Sequence, residues 1–144
     1  MIMNKNFFEI ANASFKVGGT NKVNNVSFSI ENEGDIICLL GPSGIGKTTI
    51  LRSIAGLEKI ESGTIKLKGK TISSNKINVE PEDRNISLSF QENSLFPHFT
   101  VEENIHLGKI RKNSGKKKKI SINKIIKLLN IGKILDHYPH QISA

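Results

Sequence analysis

The sequence predicts an α/β fold that begins with an antiparallel β subdomain and continues into helices. Segments 8–17 and 23–30 alternate apolar and polar residues, as strands with one buried face do. Residues 36–40, Ile-Ile-Cys-Leu-Leu, form a short apolar run that predicts a fully buried strand. A glycine-rich turn and the start of a helix follow this run directly, which is an α/β arrangement.

The remaining elements follow from local signals along the chain. The helix after Lys47 is expected to end near Gly56, because glycine is the usual C-terminal cap. Short strands are predicted over 64–67 and 86–90, each preceded by turn residues. Thr100 and Glu103 have the spacing of a capping box, which predicts a short helix. A further amphipathic helix, expected to pack its stripe in a core, is indicated by Ile122, Ile125, Ile126 and Leu129.

Composition favours a cytoplasmic globular protein. The chain has 144 residues, enough for one domain with a core, and no apolar run approaches membrane-spanning length. The N-terminus lacks the pattern of a signal peptide. Cys38, the single cysteine, falls inside the predicted strand 36–40, so we interpret it as a small buried apolar residue and not as a reactive thiol.

The formal net charge of +8 leaves three interpretations open. Much of the excess lies in 109–119, which contains four consecutive lysines and no aromatic residue. This run fits a solvated surface, a contact with acidic lipid or protein, or a nucleic-acid contact. Charge alone therefore identifies no partner.

Residues 41–48 are the most informative feature of the sequence. They read Gly-Pro-Ser-Gly-Ile-Gly-Lys-Thr and match the phosphate-binding loop pattern G-x-x-x-x-G-K-[ST]. The glycines, Gly41, Gly44 and Gly46, permit the backbone to approach phosphate closely, and the following helix adds positive potential. Lys47 supplies a charge to the β- and γ-phosphates, and Thr48 offers a hydroxyl to Mg²⁺. The sequence therefore predicts a nucleoside triphosphate site.

Two blocks of sequence resemble the nucleotide-binding subunits of ATP-binding cassette (ABC) transporters. The phosphate loop continues as Thr-Ile-Leu-Arg-Ser-Ile-Ala-Gly-Leu over 49–57, a typical spelling in that family. Residues 90–105, which begin Phe-Gln-Glu-Asn-Ser-Leu-Phe-Pro-His, look like its Q-loop and the start of its helical subdomain. The resemblance implies a P-loop NTPase core of ABC type with an N-terminal antiparallel β subdomain and the start of an α-helical subdomain.

The resemblance also implies roles for individual residues. Phe15 looks like the aromatic residue that stacks on adenine, with a core position as the alternative. Gln91 resembles the catalytic glutamine that touches Mg²⁺ and the attacking water and relays nucleotide state to the membrane subunit. The expected ligands are ATP and Mg²⁺, with Thr48 and Gln91 at the metal. The residues expected to bind ATP are Phe15, Gly41, Ser43, Gly44, Gly46, Lys47, Thr48 and Thr49.

The implied partners are a transmembrane permease and a second ATPase subunit in a head-to-tail dimer, with no nucleic acid. The protein would lie on the inner face of the cell membrane, with 94–101 near the permease. The spelling Leu-Phe-Pro-His-Phe-Thr-Val over 95–101 is similar to importers of ferric iron, polyamines or sulfate and leans toward iron(III). The four histidines lack the neighbouring ligands of a metal site.

The resemblance runs to the C-terminus, where 138–143 looks like the approach to the family signature. The signature glycines, the acidic strand with its catalytic glutamate and the switch histidine are not found in the sequence. We therefore expect a truncated ATPase, with an incomplete ATP-binding core over 1–91 and a partial helical subdomain over 92–144. Alone it is expected to fold poorly and to lack hydrolysis, since strands flanking 36–40 would come from later sequence. Two alternatives remain open: a non-catalytic nucleotide-binding module or permease-binding decoy, and a basic nucleic-acid-binding P-loop protein.

Overall fold

The computed structural model of the protein describes residues 6–18, 21–89, 94–107 and 121–142. The chain divides into two compact units, Met1–Leu88 and Ser89–Ala144. This division lies close to the expected boundary at residue 91, and the assignment of functional domains stays a prediction. Within the described ranges, no helix is long and apolar enough to cross a membrane.

The elements of the first unit are β1 (Phe8–Val17), β2 (Asn21–Ile30), α1 (Lys47–Ala55), β3 (Ser62–Leu67) and β4 (Lys70–Ser74). The strands form a four-stranded antiparallel sheet with the order β2-β1-β3-β4. Alternating apolar side chains give each strand one face for the core, and helix α1 contributes Ile50 to that core. The predicted strands in 8–17, 23–30 and 64–67 are confirmed, as is the helix after the glycine loop.

An irregularity in β1 decides which of its residues enter the core. The pairing of β1 with β2 shifts between Ile10 and Ala13, and Asn12 has a positive φ of 48°. The inward-facing positions therefore change from Phe8 and Ile10 to Ala13 and Phe15, all of which are buried. The Asn12 N–H donates to Ser27 Oγ at 2.9 Å, which supports the bend.

Two predicted strands are wrong in the described structure. Residues 36–40 have no regular secondary structure; Ile36 and Leu40 are 90% and 91% exposed, and Cys38 is exposed instead of buried. Residues 86–89 also form no strand, and Phe90 lies outside the described residues. A strand needs a hydrogen-bonded neighbour, and no described strand pairs with either segment. Apolar composition alone therefore did not bury them.

The second unit contains two described α-helices, α2 (Val101–His106) and α3 (Ile122–Leu128), and two 3₁₀ helices, Gly132–Ile134 and Pro139–Gln141. The capping box that begins α2 is confirmed: Glu103 N–H donates to Thr100 Oγ1 at 3.2 Å, and Thr100 N–H donates to Glu103 Oε2 at 2.8 Å. The expected core packing of the α3 stripe is wrong, because Leu129 is 60% exposed and no residue of α3 is buried. Helical periodicity therefore predicted the helix correctly but not the exposure of its apolar side chains.

Candidate functional site

The phosphate loop ends in a helix N-terminus that is prepared for an anion. Helix α1 follows Gly46, whose φ of 104° is left-handed, and no side chain caps the helix. Its first intrahelical bond runs from Ile50 N–H to Gly46 O at 3.0 Å, so the preceding N–H groups lie before the helical ladder. The first turn has no acidic side chain to offset the helix dipole. The local field therefore favours a phosphate group.

Lys47 lies across the mouth of this loop. Its Nζ donates to the carbonyl oxygens of Gly41 and Pro42, both at 2.7 Å. These charge-assisted bonds hold the loop close to the ammonium group. A phosphate bound in the loop would therefore have its oxygens near this charge. Because neutral carbonyls and not carboxylates hold the charge, phosphate oxygens are stronger competing acceptors for this lysine.

Two valines of the β subdomain lie directly beneath the loop. A Cβ placed on Gly46 would lie 2.6 Å from Val23 Cγ2 and 2.9 Å from Val17 Cγ2. Glycine is therefore required at this position by space as well as by φ. Neither valine was predicted from the sequence as part of the site. The interrupted alternation of β1, which places Val17 on the same face as Ala13 and Phe15, was the available signal.

The remaining residues expected at the phosphates lie on the same loop and helix turn. Ser43 and Gly44 are exposed at the tip of the loop, Thr48 is exposed in the first turn of α1, and Thr49 is half-buried. The glycine backbone, lysine and hydroxyl fit a nucleoside triphosphate, and the exposed Thr48 hydroxyl is a hard oxygen donor suited to Mg²⁺.

The adenine-stacking role expected of Phe15 is not supported. Its side chain has no exposed surface and belongs to the core cluster with Phe8 and Ile10. The bend at Asn12 turns Phe15 inward, so the core alternative describes this residue. Gln91 lies outside the described residues, and its catalytic and metal roles stay predictions.

The segment expected near the permease, 94–101, is held in shape by Asn104. The Asn104 amide nitrogen donates toward the carbonyl oxygens of Phe96 and Phe99, both at 3.1 Å, and Phe96 N–H donates to Asn104 Oδ1 at 2.8 Å. These bonds hold a ring group that consists of Phe96, His98 and Phe99. Phe96 is 52% exposed, and the ring centroids of His98 and Phe99 are 4.4 Å apart. An ordered, partly apolar surface of this kind can contact another protein.

Comparison with known proteins decides the family. A family model described as ABC transporter matches residues 23–144. The chain belongs to the ABC transporter family. This confirms the resemblance seen in the phosphate loop and in residues 90–105.

Curated members of this family are similar to the chain over almost its whole length. It is 42% identical over 136 residues to a probable sulfate/thiosulfate import ATP-binding protein, CysA, of Chlorella vulgaris, covering 94% of this chain and 56% of the relative. It is 41% identical over 137 residues to the Fe(3+) ions import ATP-binding protein FbpC of Fusobacterium nucleatum, covering 94% and 36%. It is 35% identical over 144 residues to the spermidine/putrescine import ATP-binding protein PotA of Haemophilus influenzae, covering 99% and 37%. The chain thus spans about half or less of the length of these relatives.

Solved cassettes of the ABC family share the fold. A structure of MJ1267, an ATP-binding cassette of an ABC transporter, superposes with a TM-score of 0.74 at 27% identity, covering 96% of this chain and 60% of that one. A dimeric post-hydrolysis state of the cassette MJ0796 bound to ADP and Pi superposes with a TM-score of 0.68 at 25% identity, covering 94% and 63%. These similarities confirm the predicted ABC-type fold.

Proposed function

We propose that this protein binds ATP with Mg²⁺ as the nucleotide-binding part of an ABC importer. The observation that carries the proposal is the loop 41–48, in which Lys47 is bound to two carbonyls in front of an uncapped helix N-terminus. An arriving triphosphate would replace the carbonyls of Gly41 and Pro42 as acceptors for Lys47. The exchange pairs the ammonium with phosphate charge, which strengthens each hydrogen bond.

Each part of the loop has a separate task in binding. The first N–H groups of α1 would donate to phosphate oxygens, while Gly46 lets the backbone pass over Val17 and Val23 without a side chain. The hydroxyl of Thr48 would hold Mg²⁺, which neutralises phosphate charge when bound. For hydrolysis we propose that Gln91 orients the attacking water, as the family resemblance implies.

Partners and solute are proposed from the second unit and from the relatives. The ring group of 94–101 supports contact with a transmembrane permease on the inner face of the membrane, and a second cassette would complete a head-to-tail dimer. The spelling of 95–101 favours ferric iron as the solute, and one relative of 41% identity is an Fe(3+) importer subunit. Relatives of similar identity are named for sulfate, glycerol 3-phosphate and polyamines. Growth of a deletion strain on each limiting solute would compare these four.

The direct test is the affinity for Mg-ATP of the purified protein and of Lys47→Ala. Removing a charge-assisted contact costs about 1.5–3 kcal/mol, so affinity should fall by about tenfold to a hundredfold. Lys76→Ala is the matched control, because Lys76 is an exposed lysine in the turn after β4. Equal ATP affinity in wild type and Lys47→Ala would refute the site. Absence of saturable binding in wild-type protein that is folded by circular dichroism would refute the proposed function.

A further inference from the structure

Arg84 is a buried cation at the far end of the phosphate-loop helix. It is 1% exposed, although it follows the 3₁₀ helix Pro81–Asp83 in what reads as a surface loop. Its five N–H donors all have acceptors in the structure. Nε donates to Val79 O at 2.7 Å, Nη1 to the carbonyls of Ser53 and Ile54 at 2.8 and 3.0 Å, and Nη2 to Ser73 Oγ and Asn78 Oδ1 at 2.8 and 2.9 Å.

Two of these acceptors are carbonyls of the last turn of α1. This turn carries the negative end of the helix dipole, which compensates the buried positive charge. Burial lowers the pKa of Arg84 from its usual value, and the nearby charge of Glu80 partly offsets that effect. The three other acceptors belong to β4 and the segment after it. Arg84 therefore fastens the C-terminal end of α1 to the β3–β4 side of the first unit.

Gly56 packs closely against the guanidinium group of Arg84. Gly56 ends α1 with a φ of 89°, and its N–H donates to Ser53 O at 3.1 Å. A Cβ at Gly56 would lie 2.5 Å from Arg84 Nε and 2.9 Å from Arg84 Cζ. The guanidinium group thus lies directly against the helix end, and a side chain at residue 56 would displace it.

We propose that Arg84 is a positioning residue for nucleotide binding, acting through helix α1 on the phosphate loop. This inference rests on the proposed function. Gly46 contacts Val17 and Val23 at one end of α1, and Arg84 holds the other end. Nine residues of helix span about 13 Å, so a tilt of about 5° at the Arg84 end shifts the loop by about 1 Å. Binding groups need to be held to about 0.5 Å, so the shift is large enough to weaken phosphate binding.

The geometry also predicts that lysine cannot replace Arg84. The guanidinium is a planar fork that reaches acceptors on three sides, whereas an ammonium is a point charge with three donors. Arg84→Lys therefore keeps the charge but cannot bridge α1, Ser73 and Val79 together. A role limited to charge would survive this substitution, and a positioning role would not.

The test measures Mg-ATP affinity and thermal stability of wild type, Arg84→Lys and Gly56→Ala, at a temperature where each is folded by circular dichroism. We expect affinity to fall by about tenfold or more in both variants, as for other residues that orient a binding group. Ser53→Ala is the matched control, because it changes a buried side chain on α1 and leaves the carbonyl that Arg84 uses. Ile65→Val is the stability control, a core change in β3 that should weaken the fold but leave ATP affinity within about twofold.

A chemical rescue keeps the test decisive if substitution weakens the fold. Millimolar guanidinium ion should restore ATP affinity to Arg84→Ala, whereas sodium at equal concentration should not, because only guanidinium reproduces the fork. ATP affinity equal to wild type in Arg84→Lys, or an equal loss in Ile65→Val, would overturn the inference. Failure of the wild type to bind ATP would instead refute the proposed function.

Discussion

Gly46→Ala is the sharpest perturbation of the phosphate loop that the structure offers. The residue has a φ of 104°, where a side chain costs about 1–2 kcal/mol of backbone strain. The new methyl would also lie 2.6 Å from Val23 Cγ2 and 2.9 Å from Val17 Cγ2, an overpacking cost of about 1–3 kcal/mol. We expect the free energy of unfolding to fall by about 2–5 kcal/mol.

Gly34 separates the two contributions. It has a φ of 108°, close to that of Gly46, but a Cβ there meets no atom within 4 Å. Gly34→Ala should therefore report backbone strain alone, and the difference between the two variants should report the clash. Adding Val23→Ala to Gly46→Ala should recover part of the clash, with a coupling of about 0.5–3 kcal/mol in a double-mutant cycle.

Urea unfolding followed by circular dichroism measures the free energies, and titration with Mg-ATP measures binding. Gly46→Ala should weaken ATP binding, whereas Gly34→Ala should not, because Gly34 lies outside the loop 41–48. Equal losses of stability in Gly46→Ala and Gly34→Ala, with no recovery in the Val23→Ala background, would contradict this prediction. That pattern would mean that the loop does not press on the valines.

Two further predictions concern positions outside the loop. Phe15→Leu should lower the free energy of unfolding by about 1–3 kcal/mol, since it leaves a cavity, and should keep ATP affinity within about twofold; unchanged stability with weaker ATP binding would instead indicate stacking on adenine. Thr100→Ala should lower the stability of the second unit by about 1 kcal/mol through loss of the cap, and Thr100→Ser should restore it. Equal hydrogen-exchange protection of α2 in Thr100→Ala and wild type would contradict the capping role.

Features set by local chemistry were predictable from the sequence. Lys47 follows a glycine loop and Gly56 lies nine residues further on, and these two residues mark the ends of α1. Each helix end leaves backbone groups without helical hydrogen-bond partners, and residues that suit such ends are recognisable in the sequence. The capping box at Thr100 was equally predictable, because both of its hydrogen bonds join residues within a four-residue segment. The phosphate loop belongs to this class, because its motif fixes backbone and charge together.

Features set by distant partners were not predictable in the same way. Residues 36–40 carry the composition of a core strand, yet burial depends on neighbours that no local pattern encodes. Phe15 likewise lies in the core because the bend at Asn12 changes the face of β1 that it occupies. Arg84 lies among the turn residues before 86–90, and its burial depends on carbonyl acceptors on α1 that are 30 and 31 residues away.

The position of β1 in the sheet has a consequence for synthesis on the ribosome. β1 is translated first but lies between β2 and β3, and the excursion that holds the nucleotide loop separates those two strands. After β2 has left the ribosome and before β3 follows it, the nascent chain carries a hairpin whose β1 edge has no partner strand. Open edges invite pairing with other chains. Slow translation between the release of β2 and the release of Leu67 would therefore lengthen the time for which this edge is open, and rapid translation would shorten it.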